Sequence, residues 1–258
     1  MPSCRARMRV LSLQPVQDAA RLAALALLLG GLPGCQVISG SATGANVRII
    51  DASPNAPGLD IYQGSSALAF NLGFGTVTSY VAINPGISTI SADTASTKQQ
   101  LVTARGTFTA STQYTVLVGN IAASLQETVL TDQSQAAPAG EISMRVLDQA
   151  TNFSTGVDVY LVPSGTPLAS VSPILTNVVF GSNSGYLNIP AGTYAIELLP
   201  TGTVPTATTM PAYTGKQTAY SAGAARTILI LDQQVITNPG LQVVIASDYD
   251  SPATVTTS

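Results

Sequence analysis

From about residue 45 onward, apolar and polar positions alternate in short segments rich in Val, Ile, Thr and Tyr. These segments are parted by clusters of Gly, Pro, Asn and Ser. Such spacing predicts strands joined by turns. Tyr194-Ala195-Ile196-Glu197-Leu198 alternates cleanly, with its large apolar side chains on one face. Val116-Leu117-Val118 and Ile228 to Leu231 are continuously apolar instead, the pattern of central strands covered on both faces. No later stretch carries the period of an amphipathic helix.

The strand pattern occurs twice. Val47-Arg48-Ile49-Ile50-Asp51 returns as Met144-Arg145-Val146-Leu147-Asp148, and Leu59-Asp60-Ile61-Tyr62 as Val157-Asp158-Val159-Tyr160. Phe74-Gly75 with Tyr80 returns as Phe180-Gly181 with Tyr186, and Thr115-Val116-Leu117-Val118 as Thr227-Ile228-Leu229-Ile230. Leu125-Gln126 and Asp132 match Leu241-Gln242 and Asp248. The offset grows from 97 residues at Arg48/Arg145 to 116 at Asp132/Asp248, always through turn-rich sequence. Insertions confined to turns are what two copies of one fold accumulate. The expectation is an all-β protein of two tandem antiparallel β-sandwich domains, immunoglobulin-like or of a related Greek-key kind, over 46–133 and 141–250. A polar linker at 134–140 joins them, and a tail follows at 251–258. The paired cysteines and tryptophan of true immunoglobulin domains are absent.

The first 34 residues read differently. Arg5, Arg7 and Arg9 precede a short apolar run, Leu22 to Leu29, which reads as a secretory signal peptide. The run is too short to span a bilayer, which takes about 20 apolar residues. Leu32-Pro33-Gly34-Cys35 resembles the lipobox of bacterial lipoproteins. That resemblance implies acylation of Cys35, a lipidated tether over 35–45, and anchoring in the cell envelope. Gln36 after the cysteine resembles lipoproteins sorted to the outer membrane. Four of the ten basic residues (Arg5, Arg7, Arg9, Arg21) and one of the thirteen acids (Asp18) precede Cys35. The remainder carries six basic and twelve acidic side chains, a net charge of −6. Such a surface is a poor partner for nucleic acid. Membrane attachment therefore rests on acyl chains rather than charge.

Composition narrows the chemistry. The chain has no histidine, which removes the usual general base at neutral pH and the commonest zinc ligand. Of its two cysteines, Cys4 lies in the signal and Cys35 is the acylation candidate, so no disulfide is expected. No Gly-x-Ser-x-Gly elbow, Ser-x-x-Lys or phosphate-cradling glycine loop occurs. No catalytic residue, metal or cofactor is therefore expected. Asp132, Asp232, Asp248 and Asp250 could offer oxygens to calcium, but none lies in a segment with the spacing of a calcium loop.

Val47 to Pro57, followed by Leu59-Asp60-Ile61-Tyr62, resembles the opening of a bacterial family, domain of unknown function 4397. Pro190-Ala191-Gly192-Thr193-Tyr194 resembles its later hairpin. Asp51 stands where that family generally has histidine. The resemblance implies an envelope or secreted β-sandwich, often in tandem, with no established activity. Two constellations stand out in the residues themselves. Arg48 and Asp60, and their counterparts Arg145 and Asp158, form either semi-buried ion pairs that fix strand register or unrelated surface charges. Ser53, Pro54, Asn55 and Pro57 form a proline-stiffened loop, suited to recognition or simply a turn. Tyr62, Tyr80, Tyr160 and Tyr186 recur as core aromatics or sugar platforms. The expected function is a non-catalytic, lipid-anchored envelope protein with a binding or structural role towards an envelope protein or a glycan. The rivals are a glycan-binding accessory module and, behind it, a hydrolase that uses carboxylates alone.

Overall fold

The computed structural model describes residues 44–234 and 240–250. The expected signal segment, Cys35 with most of its tether, and the tail lie outside the described residues. Within them the chain is all β, and no α-helix occurs. The first half runs β1 (Ala45–Asp51), β2 (Leu59–Gln63), β3 (Ser66–Leu72), β4 (Val81–Ile83), β5 (Gly86–Thr94), β6 (Gln100–Phe108), β7 (Gln113–Gly119) and β8 (Gln126–Thr131). The second runs β9 (Glu141–Asp148), β10 (Val157–Pro163), β11 (Leu175–Val178), β12 (Asn183–Pro190) and β13 (Gly192–Pro200). It ends with β14 (Tyr213–Thr214), β15 (Thr218–Tyr220), β16 (Ala225–Asp232) and β17 (Leu241–Tyr249).

Each half is a pair of sheets. In the first, β4-β1-β7-β8 form one sheet and β3-β2-β5-β6 the other. In the second, β12-β9-β16-β17 form one sheet, while β11-β10-β13-β14 form the other with β15 also on β13. The order matches strand for strand, with the short β14 and β15 standing where β6 stands in the first half. The sheets are not wholly antiparallel, which corrects the sequence expectation. β1 runs parallel to β7, with Arg48 opposite Thr115, and β9 parallel to β16, with Arg145 opposite Thr227. A parallel pair needs a long crossover, and here the crossover is the whole excursion through the intervening strands.

Three apolar clusters explain the layering. Val47, Ile49, Leu59, Ile61, Phe108, Val116 and Val118 fill the first sandwich. Ile142, Met144, Val146, Val159, Leu198, Ile228 and Ile230 fill the second. A third cluster draws Ile50 and Leu117 from the first half and Leu147, Leu229 and Leu231 from the second. The sheets holding β1 and β9 therefore meet face to face, giving four layers with two inner and two outer sheets. This is why the inner strands are continuously apolar: Val116 and Val118 face their own sandwich, while Leu117 faces the other half. Burying five such large side chains contributes on the order of 10 kcal/mol before chain entropy is counted. The joining segment is packed as well. Ala137 is buried, its N–H donates to the Gly223 carbonyl, and Gly140 turns the chain into β9 at a φ of 78°.

Candidate functional site

On β1 the side chains of Val47, Ile49 and Asp51 share one face, and Arg48 shares the other with Ile50. Ile50 lies in the cluster between the halves, so alternation alone carries Arg48 into the middle of that interface. The same holds for Arg145 beside Leu147 on β9. Both arginines are buried, at 1% and 2% exposure, and so are Asp132 and Asp248. Four charges have been taken out of water, and an unpaired one there would cost several kcal/mol.

The pairing crosses from one half to the other. Arg48 Nη2 donates to Asp248 Oδ1, and Nη1 donates to the Ser247 carbonyl at 2.9 Å. Arg145 Nη2 donates to Asp132 Oδ1 at 2.6 Å, and Nη1 to the Thr131 carbonyl at 3.2 Å. Within its own half each guanidinium rests on a threonine: Arg48 Nε donates to Thr115 Oγ1 at 2.8 Å and Arg145 Nε to Thr227 Oγ1 at 3.2 Å. Those threonines pass the chain onward, Thr115 donating to Asp132 Oδ2 at 2.6 Å and Thr227 to Asp248 Oδ2 at 2.8 Å. Tyr80 and Tyr186 complete the set, their hydroxyls donating to Asp132 Oδ2 at 2.7 Å and Asp248 Oδ2 at 2.9 Å. Each arginine also lies over the tyrosine ring of its own half, 5.0 Å and 4.8 Å from the centroids, a cation–π contact.

The result is a pseudo-two-fold clasp. Each half builds an aspartate cradled by its own Thr and Tyr, and the other half supplies the arginine. Two cations and two anions sum to zero, and none of these side-chain atoms appears among the buried polar atoms without a partner. Burial works against the charge on Arg48, but Asp248 and then Asp132 outweigh it and raise its pKa above the ordinary value. Burial, reinforced by neighbouring aspartate, pushes both tyrosine hydroxyls far up, so they stay protonated donors.

The pairing expected from sequence, Arg48 with Asp60 and Arg145 with Asp158, is not what forms. Asp60 and Asp158 sit on β2 and β10, in the outer sheets, and serve backbone instead. Asp60 Oδ1 accepts the Asn71 N–H at 2.8 Å, and Asp158 Oδ1 accepts the Asn177 N–H at 2.9 Å. Both asparagines are left-handed, at φ 47° and 53°, where the strand pairing shifts register. The aspartate satisfies an amide that the irregular strand leaves over. The second oxygens differ between halves: Asp60 Oδ2 pairs with Lys98, whereas Asp158 Oδ2 accepts the Gly202 N–H at 3.1 Å.

The proline loop is partly buried. Ser53 is fully buried and its N–H donates to Asp51 Oδ1 at 3.0 Å. Asn55 and Pro57 are exposed, and Asn55 Oδ1 accepts the Ala122 N–H at 2.8 Å. Pro54 and Asn55 line a hollow shared with Asn152 and Asp232 of the other half. Of the acids weighed for calcium, Asp132 and Asp248 are occupied by the clasp, and Asp232 accepts from Thr151 and Asn152. Among the described residues no three His, Cys, Asp or Glu gather around a common point.

Sequence reasoning passed over Asp132, Asp248, Thr115, Thr227, Tyr80 and Tyr186 as members of one site. Each recurs at equivalent places in the two halves, and that recurrence of Thr, Tyr and Asp was the available signal.

The family model described as domain of unknown function, DUF4397, matches residues 45–160, from β1 into β10. No curated protein matches the sequence. A carbohydrate-binding module of family CBM26 from Eubacterium rectale Amy13K, solved in complex with maltoheptaose, is similar in structure over 81% of this chain and 98% of its own, with 10% identity and a TM-score of 0.25. A Bacteroides fragilis protein provisionally assigned to cell adhesion is similar over 82% of this chain and 100% of its own, with 9% identity and a TM-score of 0.17.

Proposed function

We propose that this chain is a non-catalytic lipoprotein of the cell envelope, anchored through acylated Cys35, in which two copies of one domain are fused into a rigid body that binds or braces an envelope partner. The observation that carries the reading is the clasp. The inner sheets are consumed in holding the halves together, and their most strongly interacting polar groups are committed to each other. What remains for function is the outward surface: two outer sheets and the loop tips, held at fixed separation. Such a body suits presentation and spacing. The strand-for-strand match of the halves supports reading the second as another copy of the domain matched at 45–160. A short tether from Cys35 would keep this body close to the membrane, and two or three acyl chains would give the stable anchoring that one does not.

The test is in-cell crosslinking of a tagged full-length chain with mass spectrometry of captured proteins, alongside metabolic labelling with an alkyne fatty acid. The expected result is label on the wild type and none on Cys35→Ser, with a discrete envelope protein captured only by the anchored form. Equal labelling of both, or release of the wild type into the soluble fraction, would refute the anchor. Capture of the same abundant bystanders by both forms would refute a specific protein partner.

A further inference from the structure

The two halves share a strand order but differ around their outer-sheet aspartates. In the second half the outer-sheet Asp158 is closed over by the Gly202 N–H, part of the insertion between β13 and β14, and Thr176 occupies the neighbouring strand position. In the first half no such insertion exists. The equivalent Asp60 is met by Lys98 from the β5–β6 turn, and Phe70 stands where Thr176 does. Gly58, Asp60, Phe70, Asn71, Ser96 and Lys98 line an open hollow at this point.

Three features separate this hollow from an ordinary surface dent. Phe70 is 65% exposed, among the most exposed large apolar side chains, and is held edge-on by Tyr62 with centroids 6.2 Å apart at 86°. Its ring supplies an apolar surface to the wall of the hollow. The Asp60 side chain is 2% exposed while that of Lys98 is 57% exposed, so the carboxylate holds the ammonium from below and leaves N–H donors facing out. Lys98 itself is left-handed, at φ 58°. Gly or Asn would adopt that conformation at less cost, so the turn itself does not call for a lysine.

We infer that this hollow is a binding subsite for an uncharged saccharide, the sugar ring lying on Phe70 and its hydroxyls meeting Lys98, Asn71 and Ser96. An apolar ring face beside a few oriented polar groups is the chemistry that selects a sugar. The ligand is uncharged because Asp60 neutralises Lys98, and because a net charge of −6 beyond residue 34 repels polyanions. The inference rests on the binding role proposed above but not on the anchor.

The test is calorimetric titration of the exported Cys35→Ser chain with neutral glucose, xylose and N-acetylglucosamine oligomers, and with alginate as the anionic control. Saturable binding of a neutral oligomer is expected, weakened about tenfold by Phe70→Ala and also weakened by Lys98→Ala. Thr176→Ala, at the equivalent place in the second half, should leave it unchanged. Phe70 is exposed, so its truncation leaves the fold intact, checked by an unchanged melting curve. No saturable binding of any neutral oligomer, binding of alginate alone, or binding indifferent to Phe70→Ala would each overturn the inference. Loss of the site with anchor-dependent capture of a protein partner intact would leave the binding role standing and remove only this ligand.

Discussion

Asp248 and Asp250 lie two residues apart at the end of β17, each bonded to an arginine, and their surroundings set opposite consequences for removing them. The Asp248 side chain is fully buried and receives Arg48, Thr227 and Tyr186. The Asp250 side chain is 67% exposed and receives Arg226. Asp248→Ala leaves a buried guanidinium uncompensated and two hydroxyls without their acceptor. Breaking one side of a buried pair costs about 3–5 kcal/mol. Asp250→Ala forfeits an exposed pair worth about 0–1 kcal/mol. For a body of this size, about 2–4 °C of melting temperature accompanies each kcal/mol. Asp248→Ala should therefore melt roughly 6–20 °C lower, and Asp250→Ala within about 4 °C of the wild type. The assay is thermal and urea denaturation of the Cys35→Ser chain followed by circular dichroism. Equal effects of the two substitutions would refute the reasoning, because they would mean the clasp is wet or absent.

Three further outcomes follow from the same geometry. Arg48→Met with Asp248→Leu should recover part of the loss of Asp248→Leu alone, since an apolar replacement removes the stranded charge; denaturation midpoints that show no recovery would argue against it. Asp158→Ala should cost about 1–3 kcal/mol by stranding the Asn177 and Gly202 amides, read as a urea midpoint shift together with faster hydrogen exchange at those amides. Burial pushes Asp51 and Asp148 up to about 6, and burial with the nearby Asp93 pushes Glu127 up to about 8. These native carboxyls hold protons more tightly than the unfolded chain, so their contribution falls as pH rises from about 4 through those values. Asp60, held down by Lys98 and the Asn71 amide, contributes in the opposite sense and is lost only in stronger acid. Melting temperature should thus decline between pH 5 and pH 8.5, and Glu127→Gln should flatten the decline above pH 6; a rise over that range would contradict the assignment.

The strands and the turns were legible because alternation and turn residues are local signals. The layering was partly legible: Val116 to Val118 and Ile228 to Leu231 announced cover on both faces, without saying that each half covers the other. The parallel β1–β7 pair was not legible, since direction depends on how many times the chain crosses between sheets. Asp60 was misassigned for a related reason. It recurs near Arg48 in sequence, but β1 and β2 belong to different sheets, so nearness along the chain carried the wrong partner.

The exchange of partners in the clasp lay beyond any reading of one half. A repeat that places Arg, Thr, Tyr and Asp in each copy leaves two pairings open, within copies or between them. Arg48 makes the ambiguity visible: its Nε lies 3.7 Å from Asp132 of its own half, while its Nη2 reaches Asp248 of the other. The within-copy pairing would satisfy the charges equally well on paper and leave two separable sandwiches. Geometry decides against it, because the Thr and Tyr hydroxyls of each half already occupy Oδ2 of that half's aspartate and leave Oδ1 turned across the interface. The local hydrogen bonds thus make each half an incomplete site, with an acceptor and a donor that only the other half completes. Separating the halves would strand both, so the same residues that look like internal register pins hold the two halves of the chain together as one body.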